Sequence, residues 1–140
     1  MGGLSSLKQK KKIVYFRVGG VPDKESILTS FPSSENILFA NGCEDFFNNC
    51  LHLSNLVIID SDEPYENLLA LLNKLKANLL VQKLPIVVLS PVENMSLIQK
   101  FYEMGVSSYI VKSNPVLDKE NLQCIYQYWT RVAELPAFIS

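Results

Sequence analysis

The sequence predicts an α/β fold: one domain with a doubly wound, five-stranded parallel sheet alternating with five helices. Three observations predict it. Apolar, β-branched runs alternate with amphipathic stretches along the chain, the pattern of repeated βα units. The first four runs are apolar throughout instead of alternating with polar residues, as strands covered by helices on both faces require. The length, 140 residues, suffices for one core and is too short for two.

The elements follow in order. Ile13-Val14-Tyr15-Phe16 reads as the first strand, and Pro22 or Asp23 opens a first helix that closes near Phe31-Pro32. Ile37-Leu38-Phe39-Ala40 reads as the second strand and Cys43 to His52 as the second helix. Leu56-Val57-Ile58-Ile59 reads as the third strand, followed by a helix from Tyr65 to Val81 with Leu68, Leu71, Leu72, Leu75 and Leu79 on one stripe. Ile86-Val87-Val88-Leu89 reads as the fourth strand. Asn94 is placed to cap the next helix, Met95 to Met104, and Gly105 sits where a helix stop favours positive φ. Ser108-Tyr109-Ile110-Val111 is the weaker fifth strand. The last helix begins around Pro115 and sets Leu122, Ile125, Tyr126, Trp129, Val132 and Ala133 on one face. Residues 1–11 are expected to be a disordered leader, 12–135 the domain, and 136–140 an apolar tail.

Composition narrows the function classes. Apolar residues make up 48% and charged residues 19%, and the net charge of -1 supplies no field that would gather nucleic acid or acidic membrane. Cys43, Cys50 and Cys124 show no CxxC spacing, and His52 is the one histidine, so zinc is not indicated and the cysteines read as reduced core residues. His52 and Cys50 both read as packing residues on the second helix. No apolar run approaches membrane-spanning length, and the start lacks the apolar core of a secretion signal; a cytoplasmic protein is expected. Gly2 and Ser6 ahead of the basic cluster ending at Lys12 match a loose acylation pattern, which a solvated leader explains as well. Gly19-Gly20 lacks the spacing of a phosphate loop.

In a doubly wound sheet, chemistry gathers at the carboxyl ends of the strands. The third run ends in Asp60, the fourth in Ser90 and the fifth in Lys112. Asp60 can accept a phosphoryl group, while Ser90 and Lys112 can hydrogen-bond and neutralise its oxygens.

These residues carry a resemblance to the receiver domain of two-component response regulators. LVIIDSDEP resembles that family's third strand and phospho-acceptor loop, with Pro64 four residues after Asp60. PIVVLS resembles the strand ending in the switch hydroxyl, here Ser90, and EMGVSSYIVK resembles the segment that carries the switch aromatic, Tyr109, and the lysine, Lys112. The resemblance implies a flavodoxin-like fold with strand order 2-1-3-4-5 and a role in phosphorelay signal transduction. Stand-alone receivers that partner bacterial phytochromes have a similar ending in CIYQYWTRVAELP, which implies a homodimer with Tyr126, Trp129 and Val132 on the dimer face.

Three departures fall in the active-site loops. Arg17 and Val18 stand where the family has the acidic pair that, with the acceptor aspartate, holds Mg²⁺. Hard octahedral Mg²⁺ needs oxygen ligands, and this change leaves Asp60 and Asp62, with Asp23 and Glu25 nearby in sequence. Pro91 replaces the small residue after the switch hydroxyl, and Lys112-Ser113 replaces a Lys-Pro pair whose peptide is cis, so this peptide is expected to be trans or strained. If the Arg17 guanidinium lies beside Asp60, an ion pair occupies the space of the metal.

Ser90 reads equally as a strand-end turn former. Tyr109 is expected half-buried, with an interaction surface as the sharper reading. The reading that follows is a divergent, stand-alone pseudo-receiver: not an enzyme, expected to need no cofactor, acting by binding a histidine kinase or another signalling protein, with no nucleic acid or membrane partner. The alternative keeps Mg²⁺ and phosphoryl transfer from a histidine kinase to Asp60, with autodephosphorylation at most. A flavodoxin-like domain with a different ligand at the same edge is the third reading.

Overall fold

A computed structural model of the chain describes residues 12–19, 22–29, 37–62, 65–77 and 84–131. The leader, Gly20, Phe31-Pro32, Pro64, Leu79, Val81, Val132 and the tail lie outside the described residues, as does the Trp129 side chain.

Five strands, β1 (Ile13–Val18), β2 (Ile37–Phe39), β3 (Leu56–Ser61), β4 (Ile86–Ser90) and β5 (Ser108–Val111), form one all-parallel sheet in the order β2-β1-β3-β4-β5. This is the predicted architecture. Between them run α1 (Lys24–Thr29), a helical segment α2 (residues 43–53), α3 (Tyr65–Lys76), α4 (Met95–Glu103) and α5 (Pro115–Arg131).

The central strands are apolar on both faces because both faces are covered. All six residues of β3 and all five of β4 are buried. One face carries Val14, Phe16, Val57, Ile59 and Val88 against Phe46 of α2, the Leu68, Leu71, Leu72 and Leu75 stripe of α3, and Phe101 of α4. The other carries Ile13, Tyr15, Ile58, Val87 and Leu89 against Ile27 of α1 and Leu122 and Ile125 of α5. Each fully buried aliphatic side chain contributes about 1.5–3 kcal/mol by leaving water. β2, at the sheet edge, is only half-buried, less than its apolar run led one to expect.

Local signals set the boundaries. Asp23 caps α1, its Oδ1 accepting the Ser26 N–H at 3.2 Å, and Asn94 caps α4, accepting the Leu97 N–H at 3.1 Å. Gly105 takes φ 102° just past α4, a conformation that costs other residues a clash with their Cβ. α2 departs from the expected regular helix: an α-turn, Cys43–Asp45, widens into a π-helical stretch, Phe46–Cys50, and tightens into a 3₁₀ turn, Leu51–Leu53. Asp45 accounts for part of this, its carboxylate taking the Asn41 N–H at 2.8 Å and the Asn49 amide at 2.9 Å.

Two packing expectations need correction. Of the cysteines only Cys50 is in the core, its thiol pushed up to about 11 by burial and then by Asp45. Cys43 and Cys124 are exposed, since each falls on the solvent side of its helix. His52 is exposed on the 3₁₀ turn, where Leu51 takes the inward position. Tyr126 is half-buried against the α1/α5 side of the core, and Tyr128 is the exposed tyrosine of α5. At the open edge of the sheet, the outward N–H of Tyr109 in β5 donates to the Tyr102 hydroxyl of α4 at 2.9 Å.

Candidate functional site

The parallel register sets the site. Arg17 is the Cα partner of Asp60, one strand over, so the final residues of β1 and β3 stand side by side. Strand side chains alternate faces, and Tyr15 and Arg17 therefore share the α1/α5 face with Ile58 and Asp60. Val18 points the other way and packs, half-buried, against the larger core cluster.

Asp60 is 6% exposed and takes three donors. The Tyr15 hydroxyl donates to Oδ2 at 2.5 Å, Arg17 Nη1 donates to the same oxygen at 3.1 Å, and Lys112 Nζ donates to Oδ1 at 2.7 Å. Asp62, just past β3, binds the same cations: Lys112 Nζ at 2.8 Å through Oδ1, and Arg17 Nη2 through Oδ2. Two carboxylates and two cations thus close a ring, with a phenol beneath it.

The electrostatics follow from this geometry. Burial, then the Asp60 carboxylate, raises the Tyr15 phenol far above its ordinary range, so it stays a proton donor. Burial works against the charges of Arg17 and Lys112, but their bonds to Asp62 and Asp60 outweigh it and hold both pKa values above the ordinary ones. The Lys112 ammonium, followed by Arg17, holds the Asp62 carboxyl below its ordinary value despite partial burial.

On the β4/β5 side the contacts are neutral. Ser90, 1% exposed, accepts the Val92 N–H at 3.2 Å through Oγ, a serine turn at the strand end. The Tyr109 hydroxyl donates to the Val92 carbonyl at 2.7 Å, and its ring stacks on Phe101 with centroids 5.3 Å apart. Tyr109 is buried instead of half-buried, because its side chain turns inward over α4; burial raises its pKa, and the nearby Ser90 side chain acts the other way. Lys112 joins the two sides, its backbone N–H donating to the Ser90 carbonyl at 2.9 Å while its side chain reaches Asp60. The Lys112-Ser113 peptide is trans, and the Ser113 N–H is held by Asp118 at 3.0 Å.

Of the residues singled out in the sequence, Arg17, Asp60, Asp62 and Lys112 meet, with Tyr15 as an addition, while Ser90 and Tyr109 meet at Val92 and Val18 points away. The place of Tyr15 two residues before Arg17 on the same strand face was the available signal, but an aromatic inside an apolar run reads as core. The donor set does not suit a hard divalent ion: both carboxylates face cations, and among the described residues no three His, Cys, Asp or Glu side chains converge. Asp23 caps α1 and lines the cavity beside Asp60, and Glu25 is exposed on α1. A cavity of about 320 Å³ opens below the ring between α1 and α5, floored by Tyr15, Leu89 and Ile110. Among the described residues no helix is long and apolar enough to cross a membrane.

No protein-family model matches the chain, and no curated protein matches it. Solved structures do. The phosphorylated cyanobacterial phytochrome response regulator RcpA is 19% identical, with 87% of this chain and 96% of that one covered at a TM-score of 0.69. The Mn²⁺-bound form of response regulator Rcp1 is 19% identical, covering 86% and 95% at 0.66. Response regulator RPA3017, in red light signaling of R. palustris, is 16% identical, covering 86% and 94% at 0.63. Together with the 2-1-3-4-5 order of its parallel sheet, these likenesses give the chain the flavodoxin-like receiver fold of response regulators.

Proposed function

We propose that this chain is a receiver-like signalling module that works by binding other proteins, without phosphoryl transfer to Asp60. The observation that carries the reading is the Arg17 guanidinium seated on Asp60 Oδ2, 3.1 Å away, where the resemblance puts a metal ligand. A nucleophilic carboxylate needs an available lone pair and a cation to screen the incoming phosphoryl oxygens. Asp60 instead has one oxygen shared by Tyr15 and Arg17 and the other held by Lys112. The cation is present, but it is a fixed guanidinium that leaves no coordination site for phosphate and metal together.

Supporting the binding role, Ser90 and Tyr109 keep the positions of a switch pair while the charge ring is closed without an added group. Tyr102 of α4, whose hydroxyl meets β5, and Tyr128 of α5 are 45% and 52% exposed, and these aromatics support a homodimer through α4 and α5, with a kinase or another signalling protein as the further partner.

The test is incubation with acetyl phosphate and Mg²⁺ followed by intact-mass measurement. The expected result is an unmodified chain. A gain of one phosphoryl mass that Asp60→Ala abolishes would overturn the reading in favour of a phosphorylatable response regulator.

A further inference from the structure

Asp62 leaves β3 two residues after Asp60 with half its side chain exposed, a place where a carboxylate is ordinarily solvated. Here both of its oxygens are used, Oδ1 by Lys112 Nζ at 2.8 Å and Oδ2 by Arg17 Nη2. These are the cations that hold Asp60, one at each oxygen. Any anion added next to the Asp60 carboxyl would have to find its counter-charge in the same two groups, because they are the cations that reach that carboxyl from either side. A phosphoryl group there would need Lys112 and a positive centre at the β1 tip, and Asp62 already spans both.

We propose that Asp62 is a built-in anionic occupant of the position an Asp60-linked phosphoryl group would take, a positioning residue that keeps Arg17 and Lys112 in the arrangement an added anion would otherwise impose. The proposal deepens the reading of a chain that is not phosphorylated and rests on it. The signal-bearing geometry is then permanent. Lys112 stays drawn toward the β3 tip, and its backbone N–H keeps the Ser90 carbonyl, next to the Ser90–Val92–Tyr109 contacts, in place.

Removing the carboxylate should leave two cations, one carboxylate and room for an anion. Inorganic phosphate is therefore titrated calorimetrically into the wild-type chain, Asp62→Ala, Asp62→Glu and Asp62→Ala/Lys112→Met. Asp62 is exposed enough for the single substitutions to leave the fold intact. Asp62→Ala is expected to bind one phosphate at least about tenfold more tightly than the wild-type chain, a difference of about 1.4 kcal/mol. Asp62→Glu is expected to bind no more tightly than wild type, and the double variant to lose the gain. Hydrogen exchange at the Lys112 amide is expected to quicken in Asp62→Ala and to slow again with phosphate, which loss of a merely structural contact would not produce. Equal phosphate affinity in Asp62→Ala and wild type, or a gain that survives Lys112→Met, overturns the proposal and leaves the parent reading standing. Transfer from acetyl phosphate to the wild-type chain would end both.

Discussion

The two sides of the sheet's carboxyl edge are built from different materials. At the β1/β3 tips, Arg17, Asp60, Asp62 and Lys112 form a charged ring over a buried phenol. At the β4/β5 tips, Ser90, Val92 and Tyr109 are joined by neutral hydrogen bonds and an aromatic stack on Phe101. Departures from the receiver pattern fall on both sides, Arg17 and Val18 at the tip of β1 and Pro91 just after β4. The charged ring closes through its own side chains, while the neutral contacts beside it run through Val92. Lys112 is the residue that joins the two, its side chain on Asp60 and its backbone N–H on the Ser90 carbonyl.

The largest expected effect comes from breaking the charged side at its centre. Asp60→Ala leaves the Tyr15 hydroxyl and two partly buried cations short of a partner and is expected to cost roughly 3 kcal/mol in urea unfolding. A loss under about 1 kcal/mol would show the ring to be as weak as a surface ion pair. On the neutral side, Tyr109→Phe keeps the stack and loses one hydrogen bond to the Val92 carbonyl, with an expected cost of about 1 kcal/mol.

Combining the two sharpens the comparison. Because Lys112 is held by Ser90 through its backbone and by Asp60 through its side chain, the double variant is expected to be non-additive by about 0.5–1 kcal/mol. Strict additivity would mean that the halves do not communicate.

The smallest effect is electrostatic and shows as a pH dependence. The Asp62 pKa is lowered in the folded state, so its contribution is fully present above the unfolded carboxylate value, about 3.9, and is lost as pH falls through the lower folded value. Lys112 is the reverse case, its pKa raised, so its contribution is present below about 10.4 and lost as pH rises through the folded value. Asp62→Asn, at a half-exposed site, is expected to cost less than about 1 kcal/mol near neutrality. The difference between wild type and Asp62→Asn in unfolding midpoints should be flat from about pH 5 to 9 and vanish toward pH 2. A difference that grows on acidification would reverse the sign assigned to Asp62.

The fold was legible because its signals are local and repeated. Apolar runs as long as a strand, a cap at Asn94 and a glycine stop at Gly105 each state their own conformation. The site was legible in part for the same reason: Asp60, Ser90 and Lys112 close their runs, and parallel pairing brings run ends together. Tyr15 was not legible, since a phenol buried among apolar neighbours shows its hydroxyl partner only once the β1/β3 register is known. The widened turns of α2 and the outward cysteines escaped because one-residue rotations of a helix depend on side-chain bonds such as those of Asp45, which periodicity does not encode.

The Tyr102 hydroxyl, which receives the outward amide of β5, has a consequence for the chain in crowded solution. A border strand with a spare donor invites a foreign strand to lie alongside and extend the sheet. Here the molecule's own helix claims that donor first. A foreign strand laid along this border finds that amide already taken and loses one of the backbone bonds it would otherwise make.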